Sequence, residues 1–129
     1  MKSLGFALLA LSLVWLAGPS QAHHSFASQY DGNAPVTLHG VVTRVEWTNP
    51  HARFYLDVED SDGQTVNWNL ELASPNVLRR NGWLRDSLQA GDSVAVEGSR
   101  AKDGSHMANA RTVTLADGTQ VFARPEVLD

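Results

Sequence analysis

The chain has no cysteine. No thiolate is available as a nucleophile or metal ligand, and no disulfide can staple the fold, so any core must hold by packing alone. Positive charge is scarce as well: 10 Lys and Arg stand against 14 Asp and Glu, a formal net charge of −4. A general nucleic-acid binder needs a basic stripe to meet phosphates, and docking on an anionic membrane needs a similar excess, so the balance speaks against both. There is no internal repeat, no low-complexity run, no Walker loop, no dinucleotide glycine motif and no Ser-His-Asp order. The longest apolar run, Leu4 to Ala17, is shorter than the roughly 20 residues a bilayer span needs.

That run has the anatomy of a secretory signal peptide. Lys2 gives the positive start, Gly18-Pro19 ends the apolar stretch, and Ser20-Gln21-Ala22 is a small-x-small cleavage signal. No Cys stands at the cleavage point to carry a lipid. The expectation is a soluble periplasmic protein with no membrane anchor after cleavage. Removing residues 1–22 leaves about 107 residues, enough for one compact domain and too few for two. Residues 23–35 read as a flexible arm and 36–129 as the single domain.

From Val36 onward the hydrophobic period is two, the signature of strands. Val36, Leu38, Gly40 and Val42 share one face, while Val41, Val45 and Trp47 take the other. A strand apolar on both faces with a central Gly can bend and serve two sheets. Phe54, Leu56 and Val58 alternate with Arg53, Tyr55, Asp57 and Glu59. After the turn Asp60-Ser61-Asp62-Gly63, Val66, Trp68, Leu70 and Leu72 alternate with Thr65, Asn67, Asn69 and Glu71. These runs predict a hairpin with Trp68 in the core phase and Tyr55 facing out.

Ser74-Pro75 is an N-cap followed by proline at the first helical position, predicting a short helix over Asn76 to Asn81, stopped by Gly82. Val94 and Val96 begin a fourth strand, a fifth ends near Leu115, and a short sixth spans Thr119 to Ala123. The order is strand, strand, strand, short helix, strand, strand. It predicts an all-β fold: a small OB-fold-like barrel of five to six strands with one short helix between strands three and four. A small open β-sandwich and another six-stranded barrel are the alternatives.

Several motifs occur together: His23-His24-Ser25-Phe26, Val45-Glu46-Trp47-Thr48-Asn49-Pro50-His51 and Asn67-Trp68-Asn69-Leu70-Glu71. Ser74-Pro75-Asn76, Gly82-Trp83, Gly91-Asp92 and Arg100-Ala101-Lys102-Asp103-Gly104 accompany them. In combination the chain resembles a family of small exported bacterial proteins that carries only a domain-of-unknown-function label. The resemblance covers essentially the whole mature chain. It implies export and an all-β domain, and brings no activity, substrate or catalytic residue.

Cleavage after Ala22 would make His23 the first residue, with a free α-amine beside its imidazole. Amine and Nδ1 can chelate one metal, and a second imidazole completes a T-shaped set of three nitrogens. Such a set suits Cu(II), which favours tetragonal nitrogen ligation and leads the divalent affinity order. Both groups lose their protons near neutrality, so binding competes with protons only weakly. The second imidazole could be His51, between strands one and two, or His106, between strands four and five. In an OB-fold these connections flank one ligand surface. His24 is a further candidate through the adjacent amide, and His39, inside strand one, is the weakest. Each histidine also has a plain reading: a solvated terminus for His23 and His24, a turn residue for His51, an exposed loop residue for His106. A cleavage shifted by one residue abolishes the chelate.

Other groupings say less. Asp57, Glu59, Asp60 and Asp62 lack the spacing of a calcium loop and read as a solvated turn. Arg79, Arg80 and Arg85 form a local basic patch around the helix. Two functions are therefore expected in order. The first is a metal-binding protein, copper preferred, in metal carriage or buffering. The second is a non-metal binding module in which Tyr55 and Arg53 meet a small envelope ligand or a partner protein. Copper-dependent oxidation ranks below both, because a barrel of this size leaves little room for a substrate cleft.

Overall fold

In the computed structural model, residues 26–122 are described. Residues 1–25, with the proposed leader and both His23 and His24, lie outside them. After a helical turn over 26–29 come β1 (Tyr30–Glu46), β2 (Arg53–Glu59), β3 (Thr65–Glu71), α1 (Pro75–Arg80), β4 (Ser93–Ala101), β5 (Met107–Leu115) and β6 (Gln120–Phe122). The strand order is β3-β2-β1-β4-β5-β6, and β3 also pairs with β5 in parallel, Asn69 to Met107 and Glu71 to Asn109. That pairing closes β1 to β5 into a barrel of OB type, as the element order predicts. None of the described helices is long and apolar enough to cross a membrane.

The 17-residue β1 makes the closure possible. Its first half pairs with β4 and its second half with β2, and Gly40 lies in both ladders, opposite Val94 and Val58. A Cβ at Gly40 would strike the backbone carbonyl of Asp57, so the strand bends where only glycine fits. A bulge between Val42 and Arg44 then shifts the pairing by one residue. Val42 is buried, and past the bulge Val45 packs against the same core that the unbroken alternation would have turned it from. The sequence pattern did not reveal this phase change.

β1 also starts at Tyr30 rather than Val36, which corrects the expected extent of the arm. Tyr30 pairs with Ala101 of β4 and is 1% exposed, so residues 30–35 belong to the barrel. Between Tyr30 and Pro35, which pair with Ala101 and Ser99, the register shifts and residues 31–34 bulge from the ladder, the Asn33 N–H donating to Asp31 Oδ1 at 2.9 Å. The core is formed by Leu38, Val42, Phe54, Leu56, Trp68, Leu70, Val96 and Val113 with Leu78 and Trp83 from the α1 region. Ser74 caps α1 by accepting from the Val77 amide, with Pro75 at the first turn, and the helix buries Pro75 and Leu78.

Candidate functional site

Glu71 ends β3 on the outward face of the barrel wall, yet it is 5% exposed. A carboxylate removed from water must be met by donors, and three chain segments supply them. Tyr30 donates its hydroxyl to Oε2 at 2.8 Å, and Arg53 donates Nη2 to the same oxygen at 2.6 Å. His51 approaches Oε1 through Nδ1 at 3.0 Å. Arg53 also reaches Asn69 Oδ1 at 3.2 Å and the Met107 sulfur at 3.9 Å. Burial raises the Tyr30 hydroxyl well above its ordinary pKa of 10.0, and the hydrogen bond to Glu71 pushes the same way.

The start of the described chain is fastened beside this cluster. The Phe26 and Tyr30 rings are 5.6 Å apart. Lys102, just past β4, donates its backbone N–H to Gln29 O and its ammonium to Ala27 O. Part of the stretch read from sequence as a flexible arm, residues 23–35, is therefore bonded to the β4–β5 connection.

The expected site residues fall into separate places. His51, in the β1–β2 connection, has its ring on Glu71 with 41% of the side chain exposed. An Nδ1–H directed at a carboxylate leaves Nε2 as the free lone pair, the arrangement in which imidazole ligates metals. His106, in the β4–β5 connection, packs its ring edge on Trp68, centroids 5.2 Å apart, and Arg100 lies over the same indole. The two histidines lie in the β1–β2 and β4–β5 connections and rest on different partners. Among the described residues no three His, Asp or Glu side chains are grouped to hold a metal ion. His23 and His24 lie outside the described residues.

Arg53 and Tyr55 are engaged within the protein. Arg53 is held by Glu71 and Asn69. The Tyr55 ring is covered by the Arg44 guanidinium at 4.1 Å, and its hydroxyl points to Glu46 at 3.4 Å. Trp68 is in the core, 8% exposed. The residue that sequence reasoning missed is Glu71, which the strand alternation groups with the solvent-facing positions. A signal existed: it interrupts Leu70-Glu71-Leu72-Ala73, an apolar run in which a solvated carboxylate is out of place.

The model of a family of unknown function (DUF6152) matches residues 10–110. No curated protein matches the sequence. Among solved structures, a crystal structure of the mitochondrial single-stranded DNA-binding protein of S. cerevisiae is similar, with a TM-score of 0.51 and 15% identity. The likeness covers 64% of this chain and 93% of that one. At that identity it speaks for the fold alone, a small OB-like barrel.

Proposed function

We propose that this chain, which belongs to the DUF6152 family of unknown function, is an exported periplasmic protein that binds a metal ion, copper by preference, in metal carriage or buffering. The observation that carries the reading is His51 held through Nδ1 by the buried Glu71. A carboxylate behind a histidine fixes the tautomer and the ring direction, the usual support for a metal-ligating imidazole. His51 supplies one nitrogen, and His23, once exposed by cleavage, supplies its amine and Nδ1.

Chain geometry supports bringing them together. His23 precedes Phe26 by three residues, a reach of about 10 Å, and Phe26 packs on Tyr30, whose hydroxyl sits on the carboxylate that holds His51. With no cysteine in the chain, an all-nitrogen set favours Cu(II) over softer partners. His24 can add a nitrogen through the adjacent amide, whereas His106 is committed to Trp68 and is a weaker supplement.

The alternative module built on Tyr55 and Arg53 is less well supported, because both side chains already have partners. Single-stranded DNA binding, the property for which the similar yeast protein is named, has no support here beyond fold. The chain carries a net charge of −4, and Arg53 on the barrel wall is neutralised by Glu71.

The test is electron paramagnetic resonance of one equivalent of Cu(II) on protein whose amino terminus is confirmed by mass as His23. An axial spectrum with nitrogen couplings is expected. It should be lost on His51→Ala and on adding a residue before His23, and Glu71→Gln should weaken binding by roughly 10–100-fold. Copper held equally well by the His51→Ala protein and by the extended chain defeats the proposal.

A further inference from the structure

A net charge of −4 argues against an anionic membrane only if the charge is evenly spread, and it is not. Glu59, Asp60 and Asp62 crowd the β2–β3 turn at the start of β3. Arg79, Arg80 and Arg85 crowd α1 and the loop that follows, beyond the far end of β3. Along the chain β3 lies between the two groups, the acidic turn before its first residue and α1 after its last. Within residues 75–91 the only carboxylate is Asp86.

The basic end has a specific build. Residues 79–82 and 84–86 are all exposed, and between them only Trp83 is buried, at 1%, pinning the loop to the core. Next to that pin Leu84 stands 63% exposed, the most exposed large hydrophobic residue among those described. The guanidinium groups of Arg79 and Arg80 donate to Asn76, through its side-chain and backbone oxygens, and no carboxylate of the described residues pairs with any of the three arginines. An unneutralised guanidinium group around one protruding apolar side chain matches the layering of an anionic bilayer surface: phosphates outside, acyl chains beneath.

We propose that this end of the barrel docks on an anionic phospholipid surface, with Leu84 entering the headgroup layer and Arg79, Arg80 and Arg85 on lipid phosphates. A fluid surface suits it better than a folded acidic partner does, because Asn81, Gly82, Arg85 and Asp86 on either side of the Trp83–Leu84 pair are all exposed and offer no wall to a matching protein knob. This surface is independent of the metal reading.

The experiment is co-sedimentation of the mature protein with phosphatidylcholine vesicles carrying about 30% phosphatidylglycerol, against pure phosphatidylcholine vesicles. Binding to the anionic vesicles alone is expected, weakening as salt rises. Each of Arg79→Gln, Arg80→Gln and Arg85→Gln should lower the partition coefficient about fivefold. Leu84→Ser should lower it several-fold without altering the salt dependence, while Asp60→Asn should leave it equal or raise it. All these side chains are exposed, so the variants should keep the native thermal midpoint. Equal binding to both vesicles, or binding retained with all three arginines replaced, overturns the proposal. So does a protein that ignores the vesicles yet binds polyglutamate through the same arginines, since the surface would then be a protein dock.

Discussion

A single carboxylate organises the described half of the candidate site. Glu71 is buried at the end of β3 and receives Tyr30, His51 and Arg53, which come from the start of β1, the β1–β2 connection and the start of β2. Taking a donor away leaves part of a buried charge unsolvated, which costs more than the hydrogen bond gained in forming. Tyr30→Phe keeps the ring on Phe26 and removes only the hydroxyl. It should lower stability by about 1–2 kcal/mol in urea denaturation. Tyr30 also fixes a pH dependence. Its folded pKa lies above the ordinary value of 10.0, chiefly through burial. The unfolded chain therefore loses this proton first as pH rises, and the native state loses stability as pH climbs past about 10. Below that pH the contribution is fully present. Denaturation midpoints measured from neutral pH to beyond 10 should fall for the native protein and fall less steeply for Tyr30→Phe. Parallel curves for the two would mean that Tyr30 is not the titrating group.

At the scale of elements, β1 carries the decisive geometry. Gly40 pairs on both edges and leaves no room for a side chain against the Asp57 carbonyl. Because backbone, unlike a flexible side chain, cannot step aside, Gly40→Ala should cost about 1–3 kcal/mol by overpacking. Gly32→Ala, on the same strand with nothing within 4 Å of the new methyl, should be neutral or slightly stabilising. Similar thermal midpoints for the two variants would refute the crowding at the bend. Much of this was legible beforehand. The hairpin phases held, with Phe54, Leu56, Trp68 and Leu70 buried, and Ser74-Pro75 announced α1 through capping chemistry that depends on local residues alone. What stayed hidden depends on partners distant in sequence. The bulge between Val42 and Arg44 is set by β2, and the early start of β1 is set by Ala101. The burial of Glu71 is likewise a property of the assembled wall, since only folding brings Tyr30 from 41 residues away onto its carboxylate.

For the whole molecule, the question is what keeps a barrel without cysteines closed. The seam is the short parallel pairing of β3 with β5, from Asn69–Met107 to Glu71–Asn109, reinforced by the Asn69 amide donating to His106 O at 3.0 Å. Parallel pairs are slightly weaker per residue than antiparallel ones, so this is where the wall should open first. The Glu71 cluster lies along the same seam: Arg53 from β2 holds Glu71 and Asn69 of β3 and reaches Met107 of β5. Local closure and the orientation of His51 thus depend on one set of bonds. Arg53→Ala would leave a buried carboxylate without its cation, at a cost of about 3 kcal/mol. If the cluster is the clasp, that loss should not be spread evenly over the barrel. Native-state hydrogen exchange of the variant should show the amides of Asn69 and Glu71 opening below the global unfolding free energy, while the β1–β4 amides around Leu38 and Val96 still report the global value. Uniform loss of protection across both ladders would place the clasp elsewhere, and Arg53 would be only one contributor to a single cooperative unit. A selective loss would mean that the groups orienting a candidate ligand also govern the opening of the barrel, so that a metal bound through His51 should slow exchange at this seam more than at any other part of the wall.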